Sequence, residues 1–236
     1  MIDYAQFYRT DEQGRWLISA EQGSDFAKRH ANDFNPLHDA DNRRFVVPGD
    51  LLFGLVLNQC GLSRSMAFTF SAAAAADSPL QLAHSGDEIT LTDSRDKLVM
   101  SATCSGPNTT DAALIDSLVT SYVDFSGQNF PTILMPLLER EQVMINPERP
   151  LVMYEGMDFV LDSFDLQAPQ LRLEEATISV DGRRGQVVFN FVIEEAGKPV
   201  GHGKKYIALG GLRPYQAAPM DAIVAEYLAR RQAYQA

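Results

Sequence analysis

The feature that most constrains this fold is the run Leu51-Leu52-Phe53-Gly54-Leu55-Val56-Leu57, which follows Pro48-Gly49-Asp50. Asp50 has the chemistry of an N-cap. A helix that is apolar on every side must be surrounded by other structure. The run is too short to span a bilayer, which takes about 20 apolar residues.

Alternation takes over downstream. Ile89 and Leu91 alternate with Thr90 and Thr92, and Leu98, Met100, Ala102 and Cys104 alternate around Val99, Ser101 and Thr103, as in strands. The alanines at 72 to 76 suit a tight strand, a helical turn or an insertion. The order then repeats. Phe125-Ser126-Gly127-Gln128-Asn129 is turn-like, and Pro131 suits the first turn of a second helix through Ile133, Leu134, Met135, Leu137 and Leu138, kinked at Pro136. Strands are expected at 171–180, 186–194 and 200–209, with hairpin signals at Asp181-Gly182 to Gly185 and at Ala196-Gly197-Lys198-Pro199. The segment from Met220 to Tyr234 carries a helical pattern. A buried helix followed by antiparallel strands, twice over, is an α+β architecture. The expected units are 1–118, 119–215 and a C-terminal helix at 216–236, with the linker between Gly106 and Ser121.

With 236 residues the chain can bury one large core or two small ones. A formal charge of -11 argues against a general affinity for nucleic acid and against a basic membrane-surface role. The pairs Arg43-Arg44, Arg183-Arg184, Lys204-Lys205 and Arg230-Arg231 read as solvated surface features. Cys60 and Cys104 read as small buried hydrophobes. The start, Met1-Ile2-Asp3-Tyr4, has no secretory pattern, and no membrane span is expected, so the expected location is cytoplasmic. Widely separated histidines give no metal-ligand spacing, and no metal or cofactor is expected. Gly201-His202-Gly203 lacks the helix that a phosphate loop requires, and no Gly-X-Ser-X-Gly elbow occurs.

The chemistry concentrates in Asp33-Phe34-Asn35-Pro36-Leu37-His38. Ser19 and Gln22 form a capping box for a helix over 20–31, with Gly23 inside it and Phe26 and Ala27 facing inward. Pro36 pushes the residue before it away from helical geometry, so Asp33 and His38 fall in an irregular segment. A carboxylate and an imidazole around one water are the minimum equipment for general acid–base chemistry. Turn chemistry alone would make Asp33 a turn cap and His38 a surface residue. The helices on either side favour a functional pair. Of the other histidines, His30 suits a helix C-terminus and His84 a solvated turn, while His202, between glycines, suits an edge-strand bulge. Glu155 and Asp158 read as surface acids.

Over about residues 20–60 the chain resembles the MaoC-like dehydratases and (R)-specific enoyl-CoA hydratases, whose signature Asp-X-Asn-Pro-Ile-His stands here as Asp33 to His38. The resemblance implies a hotdog fold, a central helix wrapped by a curved antiparallel sheet, and here two fused units. It implies that Asp33 and His38 share a water that adds across a trans-2-enoyl thioester. Gly49 and Asp50, at the helix start, would supply backbone N–H groups to the enolate oxygen. Asn35 would fix the turn beside the substrate. Arg43-Arg44 would meet coenzyme A or an acyl carrier protein. The chain departs from the family at Ala31-Asn32, where Thr-Gly or Ser-Gly is usual, and at Val47-Pro48-Gly49, where Ala-His-Gly is usual. The expected function is therefore hydration or dehydration of enoyl or 3-hydroxyacyl thioesters. The alternatives are a non-catalytic acyl-thioester or small-ligand binding protein and a thioesterase. A fused pair can stand as a monomer or form a homodimer.

Overall fold

The computed structural model describes residues 1–127 and 129–235. Two short strands, β1 (Arg9–Thr10) and β2 (Trp16–Leu17), pair near the N-terminus and lead into α1 (Ala20–Arg29). The Ser19 capping box is formed in both directions, side chain to backbone and back. Gly23 is needed where it stands, because a Cβ there would lie 2.8 Å from the Phe45 ring.

Helix α2 (Gly49–Cys60) is the expected enclosed helix, with every residue from Asp50 to Leu57 buried. Strands β3 (Leu62–Phe70), β4 (Gln81–Ser85), β5 (Glu88–Thr92) and β6 (Leu98–Thr109) follow it. Next come α3 (Ala112–Gly127), a π-helical turn at Phe130–Leu134, α4 (Met135–Arg140) and β7 (Val143–Met144). Strands β8 (Leu151–Leu161), β9 (Gln170–Asp181), β10 (Arg184–Glu195) and β11 (Lys198–Gly210) complete the second half. The short β12 (Arg213–Pro214) pairs with β7, and α5 (Ala217–Gln235) ends the described chain.

Eight strands form one antiparallel sheet in the order β4-β5-β6-β3-β8-β11-β10-β9. The order reads the same from either edge: second, third, fourth, first. The two halves join where β3 meets β8, from Ser65 opposite Val160 to Thr69 opposite Gly156. Gly156 is required at that seam, since a Cβ would lie 2.2 Å from the Phe68 carbonyl oxygen. This is the α+β layout expected of a double hotdog, with a helix preceding four antiparallel strands in each half. A single apolar cluster runs through both halves.

Several elements differ from expectation. The segment read as a linker is α3, whose Leu114, Ile115, Leu118, Val119, Tyr122 and Val123 are buried at helical spacing. The Asp111 carboxylate caps it, accepting the N–H groups of Ala113 at 2.9 Å and Leu114 at 3.3 Å. Helix α3 spans the expected boundary at 118/119. Phe125 to Gly127 close α3 rather than making a turn, Asn129 is helical too, and Gln128 lies outside the described residues. The helix expected from Pro131 is the π turn and the short α4, because Pro131 and Pro136 interrupt the ordinary ladder. The alanines at 72–76 form an irregular loop whose Ala74 carbonyl accepts from the Val47 N–H.

Candidate functional site

Asp33 to His38 form a tightly self-bonded turn. Asp33 Oδ1 accepts the Asn35 N–H at 2.9 Å, and Asn35 Oδ1 accepts the Leu37 N–H at 3.1 Å, starting the 3-10 turn Pro36–His38. The Asn35 side chain is thus spent on the turn. Asn32 takes the left-handed conformation, φ 50, which lets the chain leave α1 sharply. His38 Nδ1 lies 2.7 Å from the Val46 carbonyl oxygen, and His38 Nε2 lies 3.7 Å from Asp33 Oδ2. A carbonyl only accepts, so Nδ1 carries a hydrogen and a neutral ring presents its lone pair at Nε2. Two acceptors then face each other across a gap that one water, donating both its hydrogens, can bridge.

The turn is held from the far end of the chain. The Tyr227 hydroxyl of α5 lies 3.3 Å from the Asn32 carbonyl oxygen and 3.4 Å from that of Gly127, and it accepts the Phe34 N–H at 3.3 Å. Burial and the Asp33 charge push the Tyr227 hydroxyl up to about 12, so it remains a neutral donor. Arg230 of α5 and Lys28 of α1 both pair with Asp39, just beyond the motif. Gly127 backs directly onto the turn, since a Cβ on it would lie 1.4 Å from the Ala31 carbonyl oxygen.

A second polar group, largely missed by the sequence reading, lies deeper. Asp50, in the first turn of α2, is 8% exposed, and Lys205, from the middle of β11, is 6% exposed. Ser126, at the end of α3, donates to Asp50 Oδ2 at 2.6 Å and accepts from Lys205 Nζ. The ammonium also sits 4.5 Å from the centre of the Tyr154 ring. The Tyr122 and Tyr154 hydroxyls bond to each other. Burial pushes the Asp50 carboxyl up, with Lys205 and the Ser126 hydrogen bond opposing it and Asp33 adding to it. Burial pushes the Lys205 ammonium down, against the pull of Asp50 and Asp33.

The expected solvated pair Lys204-Lys205 is therefore split: Lys204 is exposed and Lys205 is in the core. Strand alternation carried the signal, because Gly203, Lys205, Ile207 and Leu209 share the buried face of β11. Ser126 left no such trace. Arg43 and Arg44 are exposed in the loop between the motif and α2. Gly49 lies beneath aromatic rings: a Cβ there would come 2.9 Å from Tyr154 and 3.3 Å from Phe70. His202 is exposed, but β11 is paired on both sides, so an edge-strand bulge is not its setting. Its glycine neighbours are required, since Cβ atoms at 201 and 203 would lie 2.5 and 2.3 Å from carbonyl oxygens of β8. Among the described residues no group of three or more His, Cys, Asp or Glu could hold a metal ion. None of their helices is long and apolar enough to cross a membrane.

A family model described as "Protein of unknown function (DUF3581)" matches residues 2–218. The chain belongs to that family. No curated protein matches the sequence. Among solved structures, a MaoC-like dehydratase is 12% identical over 87% of this chain and 98% of that one, with a TM-score of 0.44. An acyl-CoA thioesterase II, TesB2, from Mycobacterium marinum is 10% identical over 91% of this chain and 99% of that one, with a TM-score of 0.41. A conserved protein of unknown function with a hot dog fold from Alicyclobacillus acidocaldarius is 10% identical over 91% of this chain and 100% of that one, with a TM-score of 0.44.

Proposed function

We propose that the protein hydrates 2-enoyl thioesters, or dehydrates 3-hydroxyacyl thioesters, with Asp33 and His38 as the acid–base pair. The observation that carries this reading is the pair of acceptors, His38 Nε2 and Asp33 Oδ2, facing each other at 3.7 Å. A water donating to both is held with its oxygen lone pairs free. That oxygen bonds to C3 of the enoyl group while the pair accepts one of its protons, and the pair returns a proton to C2. The net change is addition of one water, and dehydration is the same path reversed. Charge developing on the thioester oxygen would fall to the free N–H groups at the start of α2, around Gly49 and Asp50. The Tyr154 and Phe70 rings lie close over Gly49. Exposed Arg43 and Arg44 suit the phosphates of a coenzyme A or acyl carrier protein arm.

Loss of enoyl-thioester absorbance with 2-enoyl-CoA substrates of graded length tests the reading. His38→Ala and Asp33→Asn should each lower turnover at least about 100-fold while leaving the melting temperature close to wild type. Turnover that survives both substitutions, or none on any chain length, sinks the idea.

One observation favours a second reading, thioester hydrolysis. Asp50 is a buried carboxylate at the α2 N-terminus, bonded to the Ser126 hydroxyl. Release of free thiol from saturated acyl-CoA, lost in Asp50→Asn and kept in Asp33→Asn, would select it.

A further inference from the structure

Two arginines from separate segments meet at an open cleft in the second half of the chain. The cleft has a volume of about 590 Å³ and is lined by Gln142, Val143, Arg183, Leu212, Arg213 and Pro214. That volume is ordinary for a small-molecule site. None of its lining residues belongs to Asp33–His38, to α2 or to the buried group at Ser126 and Lys205. Its walls are fixed by backbone hydrogen bonds. The Leu212 N–H donates to the Arg183 carbonyl at 3.0 Å, which ties the turn between β9 and β10 to the segment entering β12. The Tyr215 N–H donates to the Gln142 carbonyl at 3.0 Å, beside the β7–β12 ladder. Gly182 takes a left-handed conformation, φ 56, that closes the turn before Arg183. Leu212 is buried, and a Cβ on Gly185 would lie 3.1 Å from its Cδ1, so the apolar wall is tightly backed.

The cleft gathers positive charge in a chain whose formal charge is -11. Arg183 makes no ion pair among the described residues. Arg213 pairs with Glu148 through Nη2, at 2.8 Å, and the Glu148 side chain is 77% exposed. So exposed a pair contributes little, and a doubly charged ligand can take the place of Glu148. Asp181 stands opposite Arg184, the neighbour of Arg183, across the hairpin.

We propose that this cleft binds a phosphate monoester carried on an apolar body, as a second ligand site separate from the Asp33–His38 turn. A phosphate monoester presents three acceptor oxygens and about two negative charges, enough to engage two planar guanidinium forks at once. A carboxylate has two oxygens and is filled by one fork. Bare phosphate would leave Val143, Leu212 and Pro214 without contact, so the walls call for apolar surface on the rest of the ligand. Nucleic acid is unsuited, because the net charge opposes a long phosphate chain.

Isothermal titration calorimetry of the full-length protein with phenyl phosphate, inorganic phosphate and phenol tests this without reference to turnover. Phenyl phosphate should bind at least about 10-fold more tightly than inorganic phosphate, and phenol should give no measurable heat. Arg183→Gln and Arg213→Gln should each weaken phenyl phosphate at least about 10-fold, with melting temperatures close to wild type. Glu148→Gln should tighten it about 2- to 5-fold by removing the competing carboxylate. Arg95→Gln, which changes an exposed arginine outside the cleft, should leave the affinity unchanged. No binding of phenyl phosphate at millimolar concentration would overturn the proposal. So would phenol binding as tightly as the ester, equal binding of the ester and the bare ion, or an ester affinity that survives both Arg183→Gln and Arg213→Gln.

Discussion

The two halves share a strand order but not a role. In the first, α2 is followed by strands as short as Gln81–Ser85, and an irregular turn carrying Asp33 and His38 precedes the helix. In the second, every sheet strand spans at least the 11 residues of β8, and the helix ahead of them ends in a π turn instead of a motif. Yet neither half holds the chemistry alone. Asp33, His38 and Asp50 come from the first half, Ser126 and Lys205 from the second. The buried polar group at Asp50, Ser126 and Lys205 thus draws on both stretches of the chain, and so does the contact of Gly127 with the Asp33 turn.

That contact can be broken most directly at Gly127. Its Cα packs so closely against the Ala31 carbonyl that Gly127→Ala would need the end of α3 to move away from the Asp33 turn. The expected outcome is loss of the folded state, or a folded protein with no turnover, read by circular dichroism and the absorbance assay. A variant with wild-type melting and activity would show that the halves do not register through this contact. The charge within the buried group comes next. Lys205→Met leaves Asp50 buried without its cation and should cost about 3–5 kcal/mol in urea unfolding. Adding Asp50→Asn should recover part of that loss, because a neutral pair no longer buries an unmatched charge. No recovery would mean that Lys205 acts through packing on Tyr154 and not through Asp50.

How much of this was legible follows from the range of each interaction. The Ser19 capping box, the Asn35 turn and the hairpins at 181–185 and 196–199 are written within a few residues, and they fold as their local chemistry dictates. Helix α2 was legible because its whole circumference is apolar. Helix α3 was not: Asp116, Asp124 and several hydroxyl residues interrupt its apolar pattern, and Pro131 offered a stronger local start signal downstream. Strand β8 mixes exposed and buried positions without clean alternation, as a central strand bonded on both sides can. Lys205 was misread because a dilysine is usually solvated. Only the face it shares with Ile207 and Leu209 reveals its burial.

A milder perturbation separates the motif from its support. Tyr227→Phe keeps the ring against Phe34 and Phe130 but removes the hydroxyl that ties Asn32, Phe34 and Gly127 together. The expected cost is about 1–2 kcal/mol of stability, with a turnover loss smaller than that of His38→Ala. A turnover unchanged from wild type would mean that the turn holds its geometry through its own hydrogen bonds.

The smallest effect distinguishes the halves by pH. His30 closes α1 against Phe7 and Phe26, with ring centres 5.4 and 5.5 Å away. Burial, reinforced by Arg29 and opposed by Asp25, pushes its imidazole below the ordinary value. The unfolded chain therefore takes up a proton near pH 6.5 that the folded protein binds only at lower pH. The stability that follows from a neutral His30 is fully present above about pH 6.5, and it is lost as the pH falls toward the lowered folded value. In the second half, His202 is exposed on the sheet and has no comparable burial. Urea midpoints measured at pH 7.5 and pH 5 should therefore converge in His30→Gln and stay as far apart as in wild type in His202→Gln. If His202→Gln flattens the dependence instead, acid sensitivity belongs to the second half, and the division of labour between the halves is drawn in the wrong place.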